Sequence, residues 1–310
     1  MKIVKTVIII FAISHIFCQD LKFIDKIVSD DFYKLTKIIV VPKSIYLLDV
    51  GNTKIYQFTN FLKLFNVIGS YGLGPGEFVE PNDILVHGDT LWVLDHSSMR
   101  INTFINGDFV SFTQLEIMPI SFDKIGNRFS VGHVFSSVFM ANYSMDGSLI
   151  DSVSFQGASK LYFKGSPFPI FSALTHMASS EKYIYLTYEY KNAVEKYNSN
   201  LQLIKSTFIS EYIEEPEVRD GGGNQFYIDG MAIAKDIQFY QNKVYVLWMA
   251  QNEQIECEGL SQLSVFDSDL NHEQDITLPD CIVGFDIHDG KLYGVCEEPE
   301  PQVVIYNFDY

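Results

Sequence analysis

From residue 35 onward the chain alternates short apolar runs with clusters of turn residues, and residues 84–112 show the pattern most clearly. An apolar run ends at a Gly88-Asp89 turn and a second ends at Asp95. A third covers 100–105, and an Asn106-Gly107 turn leads into a fourth, 108–112. Asn-Gly between alternating apolar runs is a strong hairpin signal, because both residues tolerate the positive φ of a tight two-residue turn. The unit reads as a four-stranded antiparallel meander of about 30 residues.

The same rhythm recurs along the chain. Residues 38–69 carry Tyr46 and Asp49 where 84–112 carry Trp92 and Asp95, both offset by 46 positions. The aromatic residue of each second strand gives Tyr46, Trp92, Phe129, Tyr185, Tyr245 and Tyr293, spaced 46, 37, 56, 60 and 48 residues apart. Six such units predict an all-β fold, a six-bladed β-propeller with four-stranded antiparallel blades. The sixth unit offers only three strands before the chain ends, and segment 21–28 has strand character without a partner of its own. It is expected to close the last blade, which removes exposed strand edges. The longer gaps place insertions at 157–171, in an acidic loop at 211–230, and at 250–259.

Composition and charge narrow the picture. Hydrophobic residues make up 47% of the chain, with 25 Phe and 18 Tyr, enough for a large core and in keeping with β structure. Acidic residues outnumber basic ones 39 to 22, for a net charge of -17. That excludes the basic footprint of a nucleic-acid binder and argues against docking on anionic lipid.

The N-terminus has the form of an export leader. Lys2 and Lys5 precede an apolar stretch, 6–17, that is shorter than the roughly 17–25 residues of a membrane-spanning helix. Residues 1–18 are therefore read as a signal peptide and 19–310 as the mature propeller. The protein is expected to be exported, periplasmic or extracellular, without a membrane span, and monomeric. Lipid anchoring at Cys18 is the less favoured alternative, since Ile16 and Phe17 suit a lipobox poorly. In the mature chain Cys257, Cys281 and Cys296 leave an odd thiol. An Asp289-Gly290 turn would set Cys296 opposite Val283 and make Cys281 its diagonal neighbour, about 7–8 Å away. Cys281–Cys296 is the first candidate disulfide and Cys257–Cys281 the second.

Residues 69–104, GSYGLGPGEFVEPNDILVHGDTLWVLDHSSMRINTF, resemble the NHL-repeat and related six-bladed propellers, including exported bacterial ones. Gly69, Gly72, Gly74, Pro75, Gly76, Phe78, Pro81, Asp95, Arg100 and Phe104 carry the likeness; the other units share only the rhythm. The glycines would let the chain return from an outer strand to the next inner strand. Phe78 would plug the gap between blades, and Asp95 with Arg100 would tie a hairpin.

Catalytic signals are missing. The glycine-rich loop lacks the Gly-Lys-Ser/Thr of a phosphate loop, no Gly-x-Ser-x-Gly elbow occurs, and no two histidines have metal-pair spacing. Residues just before the inner strands should line the axial funnel: Tyr71, Asn82, Asp83, Tyr227 and Asp229. The reading is a non-catalytic scaffold that binds a protein, peptide or glycan there, with no cofactor. The alternative is a lactonase-like, metal-assisted hydrolase or lyase. In it Asn82, Asp83 and Asp229 would supply oxygens to a divalent cation such as calcium.

Overall fold

A computed structural model describes residues 21–134, 136–154, 174–211, 213–222, 225–229, 232–249 and 261–308. These form 26 strands. β1 is Phe23–Val28. The first blade holds β2 (Leu35–Val41), β3 (Ser44–Asp49), β4 (Lys54–Thr59) and β5 (Leu64–Ile68). The second holds β6 (Pro81–His87), β7 (Thr90–Asp95), β8 (Arg100–Ile105) and β9 (Asp108–Gln114). The third holds β10 (Pro119–Ile125), β11 (Arg128–His133), β12 (Val138–Ser144) and β13 (Leu149–Ser154). The fourth holds β14 (Thr175–Ser179), β15 (Tyr183–Tyr188), β16 (Lys191–Asn198) and β17 (Leu203–Thr207). A separate hairpin, β18 (Glu217–Gly222) and β19 (Gln225–Asp229), precedes the fifth blade. That blade holds β20 (Ala234–Tyr240), β21 (Lys243–Met249), β22 (Ser261–Asp267) and β23 (His272–Thr277). The sixth blade holds β24 (Ile282–His288), β25 (Lys291–Cys296) and β26 (Gln302–Asn307), with β1 as its outer strand. The inner strands β2, β6, β10, β14, β20 and β24 contact one another in that cyclic order, β24 returning to β2. The fold is a six-bladed β-propeller, with the last blade closed by the N-terminal strand as expected.

Burial follows from this arrangement. The second and third strands of each blade lie between neighbouring blades and are largely buried on both faces, most uniformly apolar in second strands such as Ile45 to Leu48. Outer strands such as β5 and β13 are mostly exposed. Each inter-blade gap has its own core. Between the first two blades Phe78, fully buried, packs edge-on against Phe104 at 5.8 Å between ring centroids, with Ile55, Leu91 and Val93 around it. A buried Phe contributes roughly 2 kcal/mol of transfer free energy. Gly69, at φ 88°, lies under the Phe78 ring, where any side chain would collide with it. Arg100 donates to the carbonyls of Leu73 (3.1 Å) and Glu77 (2.7 Å), pinning the glycine-rich loop, and its Nε lies 3.9 Å from Asp95. At the closing seam, Ile27 of β1 packs with Phe32, Val303 and Ile305.

Several expectations change in detail. In the third blade Ser130, not Phe129, holds the register position of Tyr46 and Trp92, since it pairs with Asp123 as they pair with Ile39 and Leu85. Within the acidic segment 211–230, β18 and β19 form an antiparallel hairpin rather than a plain loop, pairing Val218 with Ile228 and Arg219 with Tyr227. β-branched and aromatic residues on both sides of a glycine-rich tip favour that outcome. In the sixth blade the expected register holds from His288–Lys291 to Gly284–Val295, then a bulge sets Ile282 opposite Cys296. No Cys281–Cys296 bridge is formed, and Cys296 is a free, buried thiol. Burial, then Asp280 and Cys281, push its pKa up to about 12. Cys257 and the leader at 1–18 lie outside the described residues.

Candidate functional site

An inner strand of a propeller has a sheet neighbour on one side only. Its other edge faces the axis, so backbone amides there need partners from elsewhere. Acidic and amide side chains near the strand starts supply them. Asp83 accepts from Ile84 N (2.9 Å) and reaches Phe122 N of the next inner strand (3.2 Å). Asp236 bonds Ile237 N (2.9 Å) and Phe285 N (3.1 Å) in the same way. Asp286 bonds Ile287 N (2.8 Å) and Val40 N (2.6 Å), stitching the last blade to the first. Asn82 donates to Ile120 O at 2.6 Å, and Ser121 and Thr175 share a bond of 2.9 Å. Gly284 completes this layer, where any Cβ would run into the Thr36 carbonyl.

One cation stands among these carboxylates. Lys37, the third residue of β2, holds Asp236 at 2.6 Å and lies 3.9 Å from Asp83, so it spans the channel from the first blade to the fifth. Burial works against its charge, but Asp236 and then Asp83 more than offset this and raise its pKa. Burial pushes Asp83 and Asp123 up to about 6 and Asp286 to about 7, against the partial relief from Lys37. These three carboxylic acids therefore titrate near neutral pH.

Above Lys37 the inner-strand starts open into a cavity of about 380 Å³. Its walls include Lys34, Thr36, Asn82, His176, Glu189 and Lys235, and its floor includes Lys37, Asp83 and Asp236. Burial lowers the His176 pKa to about 4, so the imidazole is neutral at pH 7, and its Nε2 lies 3.8 Å from Glu189. Three buried polar atoms on these walls, Thr36 Oγ1, Asn82 Oδ1 and His176 Nε2, find no hydrogen-bond partner among the described residues. Among the described residues, no three His, Cys, Asp or Glu side chains are grouped to hold a metal ion.

Of the residues singled out from sequence, Asn82 and Asp83 line this mouth. Tyr71 does not; it is 74% exposed on the glycine-rich loop and bridges to Phe78. Tyr227 and Asp229 belong to β19, and the placement of their side chains lies outside what is described. Lys37, His176 and Asp236 were missed. The signal for Lys37 and Asp236 was a polar pair at the second and third positions of an inner strand, Thr36-Lys37 in LTKIIVV and Lys235-Asp236 in AKDIQFY, matching Asn82-Asp83 in PNDILVH.

Residues 19–127 match the family described as 6-bladed beta-propeller, a stretch covering the first two blades and β10. No curated protein matches the sequence. Three solved structures share the architecture. A member of the duf4221 family from Bacteroides vulgatus is 9% identical with a TM-score of 0.64, covering 94% of this chain and 98% of its own. A candidate exported protein from Bacteroides fragilis is 10% identical with a TM-score of 0.59, covering 93% and 94%. Virginiamycin B lyase from Staphylococcus aureus is 10% identical with a TM-score of 0.58, covering 93% and 100%. At such identities the likeness concerns the fold, which hosts unrelated activities.

Proposed function

We propose that the chain is an exported, non-catalytic binding scaffold that takes a polar segment of a protein or peptide, or a glycan, in the mouth of its axial channel. The observation that carries this reading is the convergence of inner-strand starts on one cavity that retains unpartnered buried polar atoms. An unpaired buried polar group costs about 1–3 kcal/mol, and a ligand that pairs it recovers that cost. Both lysines (Lys34, Lys235) and carboxylates (Glu189, Glu297) line the mouth, which suits a segment carrying both charges. The leader-like residues 1–18 support export, as does the likeness to a candidate exported protein.

Selection from a displayed random-peptide library tests this. Selected peptides should bind the wild-type protein and lose about tenfold in affinity on Asn82→Ala or Lys235→Ala. Ile204→Ala, on the exposed outer strand β17, should leave binding unchanged. Peptides insensitive to both mouth substitutions would move the site elsewhere.

A further inference from the structure

The opposite face of the ring carries a second cavity. It lies between the first two blades, where the β2–β3 and β6–β7 turns project, and measures about 740 Å³. Two features there are unfavourable. Gln57, only 6% exposed, donates through Nε2 to Tyr46 Oη (3.0 Å) and Ser44 Oγ (3.3 Å), but its Oε1 has no partner among the described residues. Exchanging the two ends of the amide would leave an unpaired donor instead, so the deficit persists in either assignment. On the same cavity wall, Phe65 leaves 69% of its surface exposed. An orphaned buried amide atom and an uncovered aromatic ring thus share one cleft.

The ligand that repairs both must offer an apolar face to Phe65 and hydroxyl or amide groups to Gln57. The charged residues on the cavity wall, Lys43 and Asp89, balance, so nothing there selects a net charge. A pyranose ring meets these demands, with axial C–H groups on one face and hydroxyls at its edge. We infer that the cleft walled by Phe65 and floored by Tyr46 and Gln57 binds a neutral saccharide. This site is separate from the axial mouth and does not depend on it.

Five methyl glycosides serve as probes: glucose, galactose, mannose, fucose and N-acetylglucosamine. Saturation-transfer NMR on the full mature chain reports binding, and calorimetry gives affinities. At least one probe should bind with Kd on the order of 1 mM, a fitting value for a single ring. Phe65→Ala, at an exposed position that should fold normally, should weaken binding about five- to tenfold by removing the stacking surface. Gln57→Leu should abolish it, with the thermal midpoint recorded to establish folding. Ile204→Ala should change nothing. Silence from all five probes, or equal binding by Phe65→Ala, overturns the inference. So does loss of saccharide binding on Asn82→Ala, which would put the sugar in the axial mouth. Peptide binding measured on the same preparations keeps the two readings separate, since either can fail while the other stands.

Discussion

The first residue of each inner strand faces the last or, in the fifth blade, the next-to-last residue of the second strand, and the chemistry of that facing residue splits the ring in two. In the first two blades it is Asp49 and Asp95; in the others it is His133, Tyr188, Trp248 and Cys296. Asp49 clamps the amides of Tyr33 (2.8 Å) and Lys34 (3.0 Å), and Asp95 those of Val79 (3.0 Å) and Glu80 (2.9 Å), where the chain enters the inner strand. The later residues make unrelated contacts: His133 Nδ1 approaches Met118 O, Tyr188 donates to Glu195, and Trp248 donates to Ser264. A backbone bond persists beneath this variety. In five blades the residue after that facing position donates to the residue before the inner strand: Val50 to Lys34, His96 to Glu80, Val134 to Met118, Glu189 to Leu174 and Met249 to Ile233. The backbone repeats even where the side chains do not. The family match at 19–127 accordingly covers the two aspartate blades and little more.

The contrast breaks most visibly at Asp95. Asp95→Ala leaves two amides unpaired and removes the acidic neighbour of buried Arg100, so it should cost about 3–5 kcal/mol in urea unfolding. At the same register position Cys296→Ala should cost about 1 kcal/mol. Equal losses would mean the aspartate clamp does no more than fill space. Next in size, Lys37→Met should destabilise by about 2–4 kcal/mol at pH 8, where it leaves buried carboxylates without their counter-ion. At pH 5.5 the loss should shrink, because Asp83, at about 6, takes up a proton instead. A loss independent of pH would show that Lys37 acts through packing alone.

A smaller effect belongs to the wild-type protein. Asp83, Asp123 and Asp286 have folded pKa values of about 6, 6 and 7, raised from 3.8 by burial. Each keeps in the fold a proton that the unfolded chain releases earlier. Their stabilisation is full below the unfolded value and is lost as pH rises through the folded one. His133 and His176, lowered to about 4 by burial, act oppositely, contributing fully above pH 6.5 and losing that as pH falls toward 4. The two sets largely offset each other between pH 4 and 6.5. From pH 6.5 to 8 the loss from the carboxylic acids slightly exceeds the remaining gain from the two histidines, and stability should fall by about 0.3 kcal/mol. Asp123→Asn should flatten that fall slightly, and a rise in the urea midpoint over this range would contradict the axial electrostatics. Smallest of all, Cys296 should resist iodoacetamide at pH 8 in the folded protein, as peptide mass mapping would record, because burial keeps the thiol protonated. Rapid labelling would place it at the surface.

Much of the ring was legible in the sequence because turn chemistry and strand period are local. Asn106-Gly107 and Asp289-Gly290 both adopt positive φ and close hairpins where their residue types demand it. The axial site was only half legible. Asn82 and Asp83 sit beside the conspicuous glycine-rich loop, whereas Lys37 and Asp236 lie 199 positions apart and meet only once the ring has closed. Bulges near several inner-strand starts also shift the register by one, so a count of positions cannot tell which side chains turn toward the axis. Tyr71 was misplaced for a related reason. It stands near the inner strand in sequence, but the positive φ of Gly69 turns the loop outward first.

The account rests on a closed ring, because only closure brings Thr36 of the first blade beside Gly284 of the sixth and gathers the strand starts into one mouth. Amide hydrogen exchange of β1 measures that closure directly. Paired with β26 from Val28–Gln302 to Phe23–Tyr306, the β1 amides should exchange slowly and gain deuterium in step with β26. Exchange of residues 23–28 at the rate of an unstructured peptide, with β26 still protected, would contradict the closed ring and the axial mouth built on it.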